Sequence, residues 1–391
     1  IIDQPAPDPA SLKPSELMRL MRLGKAASEM SEDLRYLNLK LLTMSAADFL
    51  DQWFESDVLK APMAVSGIIG TFLGVRSPGT GYVLLHHYMG EIDGAFRAWG
   101  FSKGGTGKVS EAFAKAAKAR GVEIVANAGV ERVDVRGGRA VGVVLEDGSE
   151  IRAKRIVSSL DPNRTFMKLI GRENLDSDTT AAIDSFKLRG SSGKVNLAVD
   201  RLPDFACRPG DGPHLQGDIA IAPGMDYLER AYDQAKWGRF SERPYINVVV
   251  PTITDPSLAP PGKHIISCFV QYAPYELAEG PEAWPDQREA FGDAVVDTLA
   301  EYVPGLKDSI LYRQVLTPWD LEHEFVLTEG HIFHGELSLE NLLFSSPGAG
   351  LSRYQTSIRD FWMCGSGTHP GGGIMGSPGE LAAKTMLGVI R

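Results

Sequence analysis

The stretch FWMCGSGTHPGGGIMGSPGELAAKTML, residues 361–387, concentrates glycine between a short apolar run and a helical pattern. Glycine adopts positive φ and lets backbone N–H groups approach a ligand closely. The apolar run 361–364 predicts a buried strand. Ser377, Pro378 and Glu380 predict a helix start with a capping box. Because a helix N-terminus favours negative charge, we predict a turn that binds an anion or a polarised carbonyl; a plain tight connection is the alternative.

Two nucleotide-binding motifs are incomplete in this sequence. SKGGTGKVS looks like a P-loop, but G-x-x-x-x-G-K-[ST] requires glycine at Ser102 and Ser or Thr at Val109. The dinucleotide fingerprint G-x-G-x-x-G, begun at Gly365, would require glycine at Pro370. We therefore predict neither a nucleoside triphosphatase nor a dinucleotide fingerprint built on Gly365 and Gly367.

Histidines supply the other candidate chemistry. His331 and His334 in HIFHGE are three residues apart, a spacing that can ligate a metal on a helix. Glycines flank the pair and no third ligand is evident, so we predict no metal. Instead we expect a strand or loop that lines a substrate cavity, with Glu336 nearby. A further histidine and aromatic cluster is compatible with lining that cavity or with core packing: His86, His87, Tyr88, Phe96, Trp99 and Phe101.

The composition is that of an ordinary globular protein with room for two domains. The chain has 391 residues, of which 43% are hydrophobic and 23% charged. Its formal net charge of −10 argues against nucleic acid as a partner, because phosphate binding requires a basic patch. The longest apolar segment, 61–75, is short and interrupted by glycine, so we predict a core or channel helix. Three well-separated cysteines form no C-x-x-C and are predicted to be buried and reduced: Cys207, Cys268 and Cys364.

Hydrophobic periodicity in the sequence predicts the helices and strands that position the glycine turn. Two or three helices are predicted over 14–60, one with Ser45 as its N-cap. Residues 105–121 predict an amphipathic helix. Its apolar stripe comprises Val109, Phe113, Ala116 and Ala117. Alternating strands follow, with hairpin turns at Gly137-Gly138 and Asp147-Gly148. The apolar run RIVSSL predicts a strand in a parallel sheet, with the carboxyl end of the strand at a ligand crevice.

Residues 163–340 show a different pattern. Separated apolar strands at 194–200, 245–250 and 264–272 are joined by loops rich in proline and glycine. Helices are predicted at 286–303 and 318–326. This arrangement predicts an antiparallel sheet with helices on one face, suited to a substrate or cap domain.

Four segments carry a family resemblance. GGTGKVSEAFAKAAKARGVEIVANAGVERVDVRGGRAVGVVLEDGSEIRAKRIVSS resembles the second FAD-domain segment of phytoene desaturase-like and amine oxidase-like flavoproteins. CGSGTHPGGGIMGSPGELAA resembles their last FAD-binding segment. SGKVNLAVDRLPDF and LTPWDLEHEFVLTEGHIFHGELSLENLLF are similar to the subgroup of pyridine nucleotide-disulphide oxidoreductase domain-containing protein 2 and its bacterial relatives. The resemblance covers nearly the whole chain.

The resemblance implies FAD as the cofactor and assigns candidate contacts. Backbone N–H groups near Ile374 would face the flavin O2/N1 edge, where negative charge accumulates on reduction. His369 either tunes the flavin as a catalytic residue or pins the loop by hydrogen bonding; both readings stay open. The implied cofactor-binding residues are Val130, Ser158, Ser159, Gly365, Ser366, Gly367, Gly372, Gly373, Ile374, Met375 and Gly376.

The sequence departs from the family pattern at its start. The family's opening strand, G-x-G-x-x-G turn and ribose-binding acidic residue, which supply the pyrophosphate cradle, are not found ahead of the first helices. We therefore expect a truncated chain that retains little flavin by itself. Because no C-x-x-C is present, we do not expect disulfide reductase chemistry.

These observations predict an α/β fold (α+β overall), with an incomplete Rossmann-like FAD domain of non-contiguous segments and an antiparallel-sheet-and-helix substrate domain. The expected function is FAD-dependent removal of hydride from a small apolar substrate, with an unidentified electron acceptor. A non-catalytic interaction protein and a flavin-dependent isomerase remain alternatives. A cytoplasmic location is expected, while peripheral membrane association and homo-oligomerisation stay open. The predicted segments are 1–100 (cap), 101–165 (FAD), 166–340 (substrate) and 341–391 (FAD).

Overall fold

The computed structural model describes residues 4–89, 91–92, 94–96, 100–342, 345–348, 350–374 and 376–389. The chain forms two compact units. Unit 1 comprises residues 1–43, 127–189 and 331–391, and unit 2 comprises residues 44–126 and 190–330. These bounds differ from the predicted segments, since residues 1–43 group with the C-terminal segment and residues 101–126 group with the antiparallel sheet. The mixed helix-and-sheet fold class is confirmed.

The described helices and strands are numbered in chain order. The α-helices are α1 Pro14–Glu29, α2 Glu32–Thr43, α3 Ala46–Asp51, α4 Asp57–Ala64, α5 Thr80–Tyr88, α6 Gly107–Lys118, α7 Ser177–Ser185, α8 Met225–Lys236, α9 Pro251–Thr254, α10 Trp284–Ala300, α11 Leu306–Ser309, α12 Pro318–Phe325 and α13 Ser377–Met386. The strands are β1 Glu91–Ile92, β2 Ala95–Phe96, β3 Val130–Arg136, β4 Arg139–Leu145, β5 Glu150–Arg152, β6 Ile156–Ser158, β7 Ser192–Val199, β8 Ile219–Ile221, β9 Tyr245–Val249, β10 His264–Gln271, β11 Ile310–Leu316 and β12 Phe361–Met363.

Unit 1 contains the predicted hairpins. Strands β3, β4 and β5 pair antiparallel in that order. Gly137 and Gly138 have φ of 57° and 70°, as a two-residue hairpin turn requires. Gly148, with φ of 83°, closes the second turn. Buried side chains of β3, β4 and β12 pack around Phe166, in a π-helix at Arg164–Gly171. Both hairpin predictions are confirmed.

A second sheet of unit 1 carries the glycine turn. Strands β6 and β12 pair in parallel, with Ile156 opposite Phe361 and Ser158 opposite Met363. The predicted strands in RIVSSL and at 361–364 are therefore confirmed, and they are neighbours. Because parallel neighbours end at the same edge, the segments that follow Ser158 and Met363 begin side by side.

Unit 2 is built on a five-stranded sheet in the order β11-β7-β10-β9-β8, with every neighbouring pair antiparallel. One face packs on α10 through fully buried side chains such as Val195, Cys268 and Phe291. The predicted antiparallel sheet with a helix over one face is confirmed. Helices α10 and α12 also match their predicted positions, and Thr317 caps α12 with a capping box.

Two helix predictions are corrected. Helix α6 forms, but no residue of it is buried, and Phe113 of its apolar stripe is 68% exposed. Periodicity predicts an amphipathic helix but not how deeply its apolar stripe is buried, and in this stripe Val109 and Ala117 are only half-buried. The apolar segment 61–75 is not one helix, since α4 ends at Ala64 and a 3₁₀ turn follows. Among the described residues, no helix has the length and apolar character needed to cross a membrane.

Candidate functional site

The carboxyl ends of β6 and β12 form the centre of the candidate site. The Cys364 N–H donates to the Ser158 carbonyl oxygen at 2.8 Å, extending the pairing one residue beyond β12. A Cβ on Gly365 would lie 2.9 Å from the Ser159 carbonyl oxygen. The Ser158 hydroxyl lies 2.8 Å from the Thr165 hydroxyl. The two predicted serines and the start of the glycine turn are therefore brought together.

Three glycines of the turn are required by packing within unit 1. Besides the approach of Gly365 to Ser159, a Cβ on Gly367 would lie 2.7 Å from Cδ of Pro162. A Cβ on Gly372 would lie 2.7 Å from Cδ1 of Phe333. Ordinary carbon contacts are 3.5–4.0 Å, so any side chain here would displace its neighbour. These three positions fold the turn, whatever else they contact.

Of the three remaining glycines, Gly371 is buried, whereas Gly373 and Gly376 lie at an exposed end of the turn. Gly371, Gly373 and Gly376 have φ of 106°, 141° and 74°. They do have the G-x-G-x-x-G spacing, which the sequence interpretation missed by starting from Gly365. They nonetheless lie outside the usual strand–turn–helix arrangement, because β12 ends eight residues before Gly371.

Ile374 marks this exposed end. Its side chain is 88% exposed and its φ is 58°. A β-branched residue in the left-handed region is uncommon, and such strain concentrates at binding and catalytic sites. The predicted contact Met375 lies outside the described residues.

The start of α13 differs from the predicted capping box. Gly376, not Ser377, is the N-cap residue, and no side chain caps this helix among the described residues. Ser377 is already the first helical residue, so its hydroxyl cannot take the N-cap role. Glu380 instead forms an ion pair of 2.5 Å with Lys384. Pro378 has no N–H, and the Glu380 N–H donates to the Gly376 carbonyl oxygen at 3.1 Å, so in the described structure no side chain accepts a hydrogen bond from the first turn of this helix.

His369 is buried and holds the turn. The residue is only 3% exposed, and its Nε2 lies 3.1 Å from the Gln4 carbonyl oxygen. Because a carbonyl oxygen only accepts, Nε2 carries the proton. The His369 carbonyl in turn accepts a hydrogen bond of 2.9 Å from the Tyr354 hydroxyl. Both ends of the residue are thus anchored to unit 1.

His331 closes a tight turn and does not present its ring to a cavity opening. It is 2% exposed, and its Nδ1 accepts from the N–H groups of Phe333 at 3.3 Å and Gly335 at 3.2 Å. Glu336 is also buried, and its carboxylate binds the guanidinium of Arg189.

A small cavity lies beside this turn. Glu336 and His369 both line it, and its volume of about 10 Å³ has room for one water molecule. The His331 and Glu336 side chains are engaged within unit 1, and a role of the HIFHGE segment in lining a substrate cavity stays a prediction. Their side chains stabilise the turn against which Gly372 packs.

His334 has a different environment. Its φ is 57°, and its carbonyl oxygen would lie 3.1 Å from a Cβ on Gly367. Its Nδ1 is enclosed and meets no hydrogen-bond partner in the described part of the chain. Burial lowers the pKa of His334, and the Asp161 carboxylate opposes that shift only in part. The imidazole is therefore held neutral at the carboxyl edge of β6 and β12.

The other predicted positions lie apart from this edge. Val130 begins β3 in unit 1 and pairs with Leu145. His86 and His87 lie on α5 in unit 2, with ring centroids 5.5 Å apart. Burial lowers the pKa of His87 to about 4. Trp99 and the side chain of Phe96 lie outside what the structure describes. Phe101 is 51% exposed, which is not core packing.

The cysteines are only partly as predicted. Cys268 is fully buried in the sheet core, and burial raises the pKa of its thiol to about 12. Cys364 is half-buried beside the turn, whereas Cys207 is exposed. All three are free thiols.

The chain is similar to known proteins over most of its length. The profile of the flavin-containing amine oxidoreductase family matches residues 28–374. The pyridine nucleotide-disulfide oxidoreductase domain-containing protein 2 of Rattus norvegicus is 39% identical, over 99% of this chain and 69% of its own length. The lycopene-forming phytoene desaturase of Pseudescherichia vulneris is 29% identical, over 74% of this chain and 56% of its own length.

A solved structure shows the same fold. An oxidoreductase from Methanosarcina mazei superposes with a TM-score of 0.56 at 18% identity, over 93% of this chain and 75% of its own. The resemblance drawn from the sequence motifs is confirmed by these matches. The chain spans 69% and 61% of the length of two curated mammalian relatives, from rat and mouse.

Proposed function

Since this chain belongs to the flavin-containing amine oxidoreductase family, whose members are FAD-dependent oxidoreductases, we propose that it removes hydride from a C–H bond of an apolar substrate. The observation that carries the proposal is the shared edge of β6 and β12, with its exposed glycine turn and the N-terminus of α13. Bound FAD supplies the hydride acceptor in such an enzyme.

The turn residues would hold the flavin through backbone groups. Gly373 and Ile374 are exposed, and no side chain blocks the N–H groups at the start of α13 in the described structure. A ligand edge that becomes negative on reduction is stabilised by such N–H groups and by the helix dipole. The inner glycines Gly365, Gly367 and Gly372 act indirectly, because they let the turn pack against unit 1.

The strand segment would hold the rest of the cofactor. Ser158 and Ser159 end β6 beside Gly365, so they are placed to bind a group that approaches the same edge. Val130 would meet the adenine through its backbone, as the resemblance implies. Ser366 lies in the turn itself and belongs to the same proposed set.

His369 is proposed as a positioning residue. The His369 Nε2–H donates to the Gln4 carbonyl oxygen, and the His369 carbonyl oxygen accepts from the Tyr354 hydroxyl. A ring fixed in this way is poorly placed to exchange a proton with a substrate. The geometry favours the loop-pinning reading over the catalytic one.

The named relatives support the proposed reaction, and the free cysteines support the proposed cellular location. The phytoene desaturase relative is named for a desaturation, which favours removal of hydride from carbon. The acceptor that reoxidises the flavin is unidentified. We also propose a cytoplasmic location, supported by three free cysteines among the described residues.

Anaerobic dithionite titration of the intact protein tests the proposed function. We expect the absorbance of an oxidised flavin that bleaches with two electrons per chain, as a flavin hydride acceptor requires. Absence of reducible flavin would favour the non-catalytic interaction protein. Flavin-dependent turnover without net consumption of an electron acceptor would favour the isomerase.

A further inference from the structure

The five-stranded sheet of unit 2 has a second face, which a second core cluster covers in part: Tyr245 of β9 is buried in that cluster, and Phe269 of β10 packs against it. Along β7 the side chains alternate, and Val195, Leu197 and Val199 are buried against α10. Lys194, Asn196 and Ala198 point to the opposite face and are only half-buried. A charged residue therefore occupies the central part of the sheet.

The neighbours of Lys194 on this face are mostly apolar. Phe269 of β10 and Leu316 of β11 lie directly opposite it on the two adjacent strands. Ile265 and Tyr312 flank Ala198 in the same way. All four are half-buried or exposed. The face thus offers apolar surface around one ammonium group.

A short polar ladder fixes the ammonium group. Lys194 Nζ donates to the Ser267 hydroxyl at 2.8 Å, and that hydroxyl donates to Asn196 Oδ1 at 3.1 Å. Asn196 Nδ2 donates to Gln314 Oε1 at 3.0 Å. Because the chain of donors runs away from Lys194, the ladder orients the lysine without neutralising it.

No carboxylate compensates this charge. Among the described residues, Cys268 is the one ionisable group that opposes the effect of burial on the pKa of Lys194, and no carboxylate does so, although the whole chain carries a net charge of −10. Burial lowers the pKa of Lys194, so its charged form is costly in this environment. An ammonium group has three protons, and only one is engaged by Ser267.

We propose that this face binds an apolar molecule bearing a carboxylate, with the carboxylate on Lys194 and the hydrocarbon part on Phe269, Leu316 and Ile265. A carboxylate would neutralise the half-buried ammonium and accept its free protons. The proposal rests on the proposed function in that it specifies the substrate class as an apolar acid. The binding itself involves only residues of unit 2.

Calorimetric titration of the intact protein with dodecanoate and with 1-dodecanol tests this inference. Both probes share the alkyl chain, so the difference reports on the carboxylate. We expect dodecanoate to bind at least about tenfold more tightly, as a charge-assisted hydrogen bond in a half-buried site allows. In Lys194→Met, which keeps the length of the side chain, dodecanoate affinity should fall to that of dodecanol. Dodecanol affinity should not change.

Two further variants make the result decisive. Ser267→Ala removes the group that orients Lys194 and should weaken dodecanoate binding without affecting dodecanol. Lys307→Met removes an exposed lysine paired with Asp297 and should affect neither probe. Equal affinity of the wild-type protein for both probes, no binding of either, or an unchanged preference in Lys194→Met would overturn the inference. The calorimetric titration does not measure flavin, so a negative result overturns only the binding of an apolar acid. The proposed function is overturned by a different result, the absence of reducible flavin in the dithionite titration.

Discussion

The Tyr354 hydroxyl donates a 2.9 Å hydrogen bond to the carbonyl oxygen of His369, and Tyr354 is itself fully buried beside α13. Burial raises the pKa of Tyr354, so the phenol stays protonated and remains a donor. The Met363 N–H also donates to the Tyr354 carbonyl at 2.8 Å. One residue therefore connects the end of β12 to the middle of the glycine turn.

Replacing Tyr354 with phenylalanine tests this connection. The buried His369 carbonyl oxygen would lose its hydrogen-bond donor, at a cost of about 1–3 kcal/mol in the free energy of unfolding. We also expect weaker retention of flavin, because the turn would be less ordered. Urea denaturation and the flavin-to-protein absorbance ratio measure the two effects. Tyr227→Phe is the matched control, since its hydroxyl donates to the Pro244 carbonyl at 2.8 Å in unit 2. It should lose stability without losing flavin, and equal flavin loss in both variants would refute the specific role of Tyr354.

His369→Ala and His369→Gln separate pinning from catalysis. Alanine removes the bond to the Gln4 carbonyl, so flavin should be released, while the fraction that stays bound keeps its reduction potential. Glutamine retains a side-chain donor and should recover part of the flavin content. Spectroelectrochemical titration measures both quantities. A shifted potential with full flavin content would instead support a flavin-tuning role. Normal content and potential in His369→Ala would exclude both roles.

The glycines of the turn should separate into two groups. Gly367→Ala places a Cβ 2.7 Å from Pro162, so we expect a loss of roughly 1–3 kcal/mol in the free energy of unfolding. Gly373→Val and Gly376→Val lie at the exposed end, where a branched side chain blocks close approach and resists positive φ. Those two should retain most of the fold and lose flavin. Thermal melting and flavin content distinguish the groups, and full flavin content in both valine variants would remove the ligand role of this end.

The buried His87 predicts a pH dependence of stability. Its pKa is lowered from 6.5 to about 4, mainly by burial, while the carbonyls of Val83 and Ser66 oppose the shift and His86 adds to it. Between these values the unfolded chain binds the proton and the folded chain does not. Stability should therefore be complete above about pH 6.5 and fall as pH decreases toward 4, by about 3 kcal/mol in total.

The same pH effect can be assigned by substitution. His87→Gln removes the titrating group, so the free energy of unfolding measured by urea should change less between pH 7 and pH 5. An unaltered slope in His87→Gln would show that other groups cause the dependence.

Local patterns predicted much of the fold. Gly137-Gly138 and Asp147-Gly148 specify hairpins because few other residues adopt their dihedral angles. The strands at 156–158 and 361–363 were predicted separately, and the parallel register that joins them was found in the structure. Long-range pairing of this kind has no local signal.

The errors arise where a side chain has several possible partners. Ser377 matches an N-cap residue, yet Gly376 takes that position because its φ of 74° ends the turn. Nothing in the sequence indicated that backbone N–H groups engage His331 and that Arg189 binds Glu336, and their place at a substrate cavity stays a prediction. Lys194 was overlooked, since alternation in β7 shows which side chains share a face without showing what faces them.

Hydrogen–deuterium exchange of the intact protein, with FAD bound and after its removal, tests the central claim most directly. The claim is that the glycine turn and the start of α13 contact the flavin. We predict that FAD slows amide exchange in peptides covering residues 365–380, with little change in residues 225–236 of α8 in unit 2. Unchanged exchange in residues 365–380, together with FAD protection confined to other segments, would contradict the claim.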